Sequence, residues 1–272
     1  MTSTFQSKIT DTRISRAFDK AKSEGRPAFI PYVTDGYPEL DDTPALVKAL
    51  VEGGADIVEL GIPFSDPIAD GPTVQRAGQK ALDNGFTPAH AFATVESLRA
   101  EGVDVPIIFM GYYNPVYAYG LEAYVAECAR VGVDGLIIPD LPPEESDLLL
   151  EACIGHKVHL IYLLAPTSTP ERVEAVLQRA NGFIYRVAAT GITGARTELQ
   201  AGLADYVARV RRHADLPLAI GFGISTRAHV LEAEKLADGV IVGSALIDRL
   251  DRASSDDLLA EARDFVRSLR GS

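Results

Sequence analysis

Glu59 and Asp70 are the residues of this chain whose types and spacing could do chemistry. They bracket the run Glu59-Leu60-Gly61-Ile62-Pro63-Phe64-Ser65-Asp66-Pro67-Ile68-Ala69-Asp70-Gly71-Pro72. An apolar stretch, Ala55–Leu60, leads into it and reads as a buried strand ending in a carboxylate. Desolvation at such a place favours the neutral acid over the ionised form. Asp70 follows in a loop that Pro63, Pro67 and Pro72 stiffen. One carboxyl on a rigid strand and another on the adjacent loop suit an acid and a base acting on one small substrate. A structural ion pair for Glu59 and a turn or cap role for Asp70 fit the same spacing. The pattern alone leaves both readings open.

Three glycine clusters come later: Thr190–Gly194, Gly221-Phe222-Gly223-Ile224-Ser225, and Val242-Gly243-Ser244-Ala245. Glycine lets the backbone approach a ligand and turn its N–H groups towards it. Clusters of this kind after successive strands predict a phosphate site. Gly221-Phe222-Gly223 is not a dinucleotide fingerprint, because no third glycine follows at the required spacing. Phe29, Tyr112, Tyr113, Tyr185 and Phe222 fall at predicted strand ends and could together line an apolar slot for a flat ring. None of the five histidines has metal-ligand spacing. His156 and His159 flank a strand start without a partner carboxylate, and no metal is expected. No nucleophile elbow appears.

The elements that must position these residues alternate regularly. Strands are predicted at 28–33, 55–60, 106–110, 135–138, 159–164, 183–187, 218–221 and 239–242. They are rich in Ile, Val and Leu, as parallel strands buried on both faces should be. Helices are predicted at 44–52, 88–101, 121–131, 144–152, 170–179, 199–213, 226–236 and 258–269. Thr87-Pro88 and Thr169-Pro170 give two of them a start signal. Eight strands alternating with helices in 272 residues predict one closed (β/α)₈ barrel domain spanning 1–272. An open doubly wound sheet is the alternative. An extra helix within 3–23 is expected to close the barrel floor. Long connections follow strands two and six, at 64–86 and 188–198, on the face where such barrels place their sites. With Tyr185 turned inward, Arg186 would point to the helix layer, where it needs a carboxylate partner.

The chain is 47% hydrophobic and 24% charged, with a net charge of −12. That acidity speaks against a nucleic-acid or anionic-membrane partner, yet leaves a phosphorylated small molecule open. The two cysteines, Cys128 and Cys153, read as buried free thiols in predicted helices. No signal pattern or membrane-spanning run is seen, and a cytoplasmic location is expected.

The run 59–72 resembles the signature of the tryptophan synthase alpha subunit family. The resemblance extends in order through Phe29–Pro38, Met110–Pro115, Gly132–Pro142, Thr190–Gly194, Gly221–Ile224 and Val242–Ala245. It implies a (β/α)₈ lyase that cleaves indole-3-glycerol phosphate to indole and glyceraldehyde 3-phosphate in tryptophan biosynthesis. A free-standing lyase of the same chemistry is the alternative. By position, the resemblance makes Glu59 and Asp70 catalytic, with Tyr185 assisting, and Thr193 orienting Asp70 on loop closure. It assigns Gly194, Gly223, Gly243 and Ser244 to the phosphate, and Phe29, Tyr112, Leu163 and Phe222 to the indole slot. Asp66 and Pro67 would touch a beta subunit, in an allosteric alpha2-beta2 heterotetramer. Pyridoxal phosphate is expected in that partner and no cofactor in this chain. The chain departs from the family at Ala188-Ala189, where many members carry a polar pair such as Ser-Arg.

Overall fold

In a computed structural model that describes residues 9–165, 167–187, 216–221 and 223–271, eight parallel strands close into a barrel in sequence order. The strands are β1 (Ala28–Thr34), β2 (Val58–Gly61), β3 (Ile107–Met110), β4 (Gly135–Ile137), β5 (His159–Leu164), β6 (Ile184–Val187), β7 (Leu218–Gly221) and β8 (Gly239–Val242). Closure runs through β1 and β8, paired from Ala28↔Gly239 to Pro31↔Val242. The expected barrel is present, and the open sheet is excluded.

Alternation along each strand sorts the residues into two cores. Ala28, Ile30, Ile57, Ile108, Ile137, Ile161, Ala219 and Ile241 point inward and pack together. Their neighbours, such as Phe29, Val58, Leu60, Phe109 and Leu136, pack outward with the helices. Helix α1 (Arg13–Ser23) closes the floor, as expected of the N-terminal segment, with Ile14, Ala17, Phe18 and Ala21 joining the inner core. Thr12 caps it by accepting the Ser15 N–H at 3.2 Å. Phe18 stacks on Phe183 with centroids 5.4 Å apart. A β-carbon on Gly239 would lie 3.0 Å from the Phe18 ring, so the bare glycine makes room for the plug.

Three carboxylates tie the lower strand ends together. Asp56 accepts the Phe29 N–H at 2.8 Å, Asp134 that of Ile107 at 2.9 Å, and Asp238 that of Leu218 at 2.9 Å. Asp56 is held by a two-pronged contact from Arg26 at 2.6 and 2.9 Å. Asp134 is held by Arg99 at 2.7 Å and Arg13 at 3.2 Å. These contacts explain why β2 begins at Val58 and not at Ala55: Asp56 is engaged with β1 before the ladder starts.

Around the barrel lie α2 (Thr43–Gly53), α3 (Pro72–Asp83), α4 (Pro88–Ala100), α5 (Tyr113–Tyr119), α6 (Leu121–Val131), α7 (Asp147–His156), α8 (Pro170–Leu177), α9 (Arg227–Glu234), α10 (Ser244–Leu250) and α11 (Leu258–Arg270). Four departures from the sequence reading stand out. The connection at 64–86 is not all loop, because α3 starts at Pro72, whose missing N–H costs nothing in a first turn. Helix α5 was not expected, and its Pro115 is likewise in the first turn. The helix expected at 144–152 is a 3₁₀ turn, Pro143–Glu145, followed by α7. The break falls at Ser146, whose hydroxyl donates to the Pro143 carbonyl at 2.8 Å and meets the Tyr162 hydroxyl at 2.6 Å. Finally, His156 does have a carboxylate partner, Glu122, at 2.6 Å. The helix expected at 199–213 lies outside the described residues. No described helix is long and apolar enough to cross a membrane. Cys128 and Cys153 are buried free thiols in α6 and α7.

Replacing Phe18 by Ala should destabilise the barrel by about 3–5 kcal/mol through the cavity left at the floor. Urea unfolding of the two proteins measures the difference; a loss below about 1 kcal/mol would show that α1 does not seal the core.

Candidate active site

The upper layer of the barrel interior is built by the same alternation that fills the lower one. Above Ile57, just ahead of β2, comes Glu59, above Ile30 on β1 comes Tyr32, above Ile161 on β5 comes Leu163, and above Phe183, just ahead of β6, comes Tyr185. Tyr32 and Glu59 are register partners across β1 and β2, as Leu163 and Tyr185 are across β5 and β6. The site therefore follows from strand phase: once isoleucines fill the floor, these side chains must converge at the mouth.

Glu59 is 1% exposed. Neither of its carboxyl oxygens has a hydrogen-bond partner among the described residues. Burial, with a smaller contribution from the Asp70 charge, pushes its pKa up to about 8. Near neutral pH it is mostly a carboxylic acid carrying a proton.

Asp70 stands at the entrance to α3, on the rim above Glu59. Its N–H bonds to the Pro67 carbonyl at 3.1 Å and its own carbonyl accepts from Gln75 at 2.9 Å. These bonds and the three prolines fix the loop that carries it. Burial raises its pKa, and a hydrogen bond from Tyr112 opposes the rise. Tyr112 accepts the Ala69 N–H at 3.0 Å while its ring rests 5.4 Å from that of Phe64. Tyr32, Thr34, Ile62, Phe64 and Asp70 line one cleft.

Tyr185 is sheltered at the mouth, and its phenol is held well above the usual range by burial and by the Glu59 charge. Its hydroxyl leans across Gly221, where a β-carbon would lie 2.5 Å away. Tyr32 leans across Gly61 in the same manner, 2.0 Å from where a β-carbon would be. Both glycines are bare because a tyrosine tip occupies the space.

Of the residues expected in the site, Glu59, Asp70, Tyr185, Tyr112 and Leu163 meet at this mouth. Phe29 does not. It is out of phase with the inward residues of β1 and packs in the outer core, so the aromatic side chain that β1 sends to the mouth is Tyr32. The signal was legible, since counting by two from Ala28 reaches Tyr32 and skips Phe29. Gly223, with φ +58°, and Gly243-Ser244, opening α10, stand at the upper ends of the adjacent strands β7 and β8. Asp66 is exposed, and the half-buried Pro67 beside it borders the same cleft. Thr193, Gly194, Phe222 and Ala188-Ala189 lie outside the described residues. Arg186 is buried and faces outward beside Leu164, as expected, and it is not without a partner. Among the described residues no cluster of His, Cys, Asp or Glu could hold a metal.

Residues 18–269 match the model of the family described as tryptophan synthase alpha chain. The chain belongs to the tryptophan synthase alpha chain family. It is 52% identical to the tryptophan synthase alpha chain of Roseiflexus sp. (strain RS-1) over 260 residues, 96% of this chain and all of the relative. It is 51% identical to that of Chloroflexus aggregans over 257 residues, 94% of this chain and 96% of the relative. Among solved structures, the tryptophan synthase alpha chain of Legionella pneumophila subsp. pneumophila superposes with a TM-score of 0.88 at 36% identity, covering 96% of this chain and 97% of the other. A tryptophan synthase structure from Mycobacterium tuberculosis does so with a TM-score of 0.87 at 38% identity, over 96% of this chain and 97% of the other.

The raised pKa of Glu59 has a consequence for stability. Its folded-state pKa lies above the unfolded value, so its contribution is intact below the unfolded pKa. That contribution is lost as pH rises towards about 8. Glu59→Gln removes the titration. The variant should gain on the parent as pH rises from 5 to 8, by at most roughly 1.4 kcal/mol per pH unit. Urea midpoints across that range test it, and parallel curves would show that the Glu59 carboxyl is not desolvated.

Proposed function

We propose that this chain cleaves indole-3-glycerol phosphate to indole and glyceraldehyde 3-phosphate, the lyase step of the tryptophan synthase alpha reaction. The observation that carries the reading is the buried, unpartnered Glu59 carboxyl at the barrel mouth, facing Asp70 on the rim. Breaking the bond between indole C3 and the glycerol carbon requires a proton on C3. Protonated Glu59 supplies it, and the ring nitrogen becomes cationic. Ionised Asp70, near that nitrogen, stabilises the charge as it develops. Glu59, now a carboxylate, takes back the proton of the glycerol hydroxyl. The carbonyl of glyceraldehyde 3-phosphate forms, and the electrons of the broken bond restore the indole. Glu59 ends as it began, so no net proton is consumed.

Tyr112, Leu163 and Phe222 would flank the indole, with Tyr32 in the place expected of Phe29. Tyr185 would assist beside the acid. The backbone at Gly194, Gly223, Gly243 and Ser244 would hold the phosphate, as clusters of N–H groups on this rim commonly do. Thr193 would orient Asp70 when its loop closes. Asp66 and Pro67 lie on the loop where a beta subunit would dock in an alpha2-beta2 complex and receive the indole. The alpha chain family carries no cofactor, and pyridoxal phosphate belongs to the beta subunit. We place the protein in the cytoplasm, in one barrel domain.

Two measurements test the reading. Indole release from indole-3-glycerol phosphate is followed with the purified chain alone and with a tryptophan synthase beta subunit. Slow release that rises strongly with the partner is expected. Rapid release alone would indicate a free-standing lyase, and none under either condition would overturn the reaction. In the complex, Glu59→Gln and Asp70→Asn should each lower kcat by about 10²–10⁴-fold, the usual worth of a positioned acid or base. A loss of only a few-fold for Glu59→Gln would remove it as the acid.

A further inference from the structure

The turn that carries Asp70 belongs to no helix or strand, yet its backbone is bonded from two sides. Within it, the Asp70 N–H donates to the Pro67 carbonyl at 3.1 Å and the Ile68 N–H to the Asp66 carbonyl at 2.9 Å. From the barrel side, the Tyr112 hydroxyl accepts the Ala69 N–H at 3.0 Å. From the helix side, the Gln75 carboxamide donates to the Asp70 carbonyl at 2.9 Å and to the Pro67 carbonyl at 3.3 Å. Both partners are carbonyls, so the amide must present its NH₂ end, with one hydrogen for each. Gln75 lies one turn into α3, where a side chain leans back towards the helix N-terminus and so reaches the residues ahead of it. Gly71, the cap of that helix, has no side chain to offer those carbonyls. Thr73, in the same first turn, bonds Asp248 of α10 at 3.3 Å, so Gln75 stands on an anchored base.

We propose that Gln75 is a positioning residue of the reaction: its carboxamide clamps the Pro67 and Asp70 carbonyls and so fixes where the Asp70 carboxylate stands at the mouth. The proposal deepens the functional reading above and rests on it. Gln75 acts only through Asp70, by holding the backbone from which that side chain springs. A carboxylate that must meet a charge developing on the substrate loses effect steeply when it is misplaced. Gln75 is exposed, so water competes for each of its bonds and the consequence of losing them is several-fold. The clamp joins α3 to the turn, and Tyr112 joins the turn to the barrel. The carboxylate is thus set by two elements that flank it, one on either side.

Gln75→Met keeps the length and helix preference of the side chain and removes both donors. Amide hydrogen exchange, followed by NMR in the full chain, should quicken about three- to tenfold at Ala69 and Asp70 and stay unchanged along the strands. Indole release from indole-3-glycerol phosphate is then measured with the chain alone and with a beta subunit. In both, kcat should fall about three- to tenfold while KM stays within twofold. In the complex, adding Gln75→Met to Asp70→Asn should change kcat less than twofold further, because the clamp has no carboxylate left to place. Unchanged exchange at Ala69 and Asp70 overturns the proposal, as does an equal fall in kcat with and without the Asp70 carboxylate. A fall seen only with the beta subunit also overturns it and gives Gln75 to the interface. Failure of the parent chain to release indole would strike the functional reading alone, since the exchange measurement needs no substrate.

Discussion

A carboxylic acid is held inside an apolar barrel with nothing in the described structure to neutralise it. Taking a carboxylate out of water without a partner costs several kcal/mol, and the protein avoids that cost by keeping the proton on. Glu59 can therefore persist only on a frame too rigid to let it swing into solvent. The frame is the hydrogen-bonded pairing of β2 with β1 and β3, and the floor beneath is packed with isoleucine and plugged by Phe18. The acid's reactivity and the packing of the barrel are one fact seen from two ends.

The lower rim shows the opposite treatment of the same chemical group. Asp56 and Asp134 are also nearly buried, yet each accepts a strand N–H and two arginine N–H groups, Asp56 from Arg26 alone and Asp134 from Arg99 and Arg13. They remain bound to the scaffold and hold strand ends in register. Asp238 accepts the first N–H of β7 in the same way, just ahead of β8. Burial alone does not separate a structural carboxyl from a reactive one. The presence of an arginine and a backbone donor at one end of the barrel, and no such partner at the other, does.

Much of the fold was legible because parallel strands buried on both faces must be runs of Ile, Val and Leu, and eight of them alternating with amphipathic stretches admit few closures. Glu59 and Asp70 were legible for a different reason: a carboxyl closing a core strand and another in a proline-stiffened loop break the local rules, and such breaks gather where chemistry occurs. What escaped was decided by tertiary contact. Ser146 splits a helix because it has Tyr162 to bond. Pro72, which stiffens the expected loop, and Pro115 both occupy first turns of helices, where proline is tolerated. The His156–Glu122 pair joins α6 and α7 through residues 34 apart in sequence. Phe29, which the resemblance puts in the indole slot, lies in the outward phase of β1. Strand alternation is a stronger constraint than side-chain identity, and it points to Tyr32.

The two halves of the site are also joined mechanically. Helix α3, which begins two residues after Asp70, docks on α10, which begins at Ser244. Arg76 pairs with Asp251 and, at 3.4 Å, with Asp248, and Thr73 bonds Asp248 at 3.3 Å. Exposed pairs of this kind add little stability each. Their consequence is geometric. The rim carboxylate and the glycine turn at the end of β8 sit on elements that contact each other, so neither can shift without moving the other. A substrate whose ring is read at Asp70 and whose phosphate is read at Gly243 would span two anchors of fixed separation. On the proposed reading, the bond to be broken would lie between those anchors, above Glu59. Fixed anchors at both ends would place the reacting carbon over the acid without any contact at the carbon itself, which is how binding energy far from the chemistry is converted into rate.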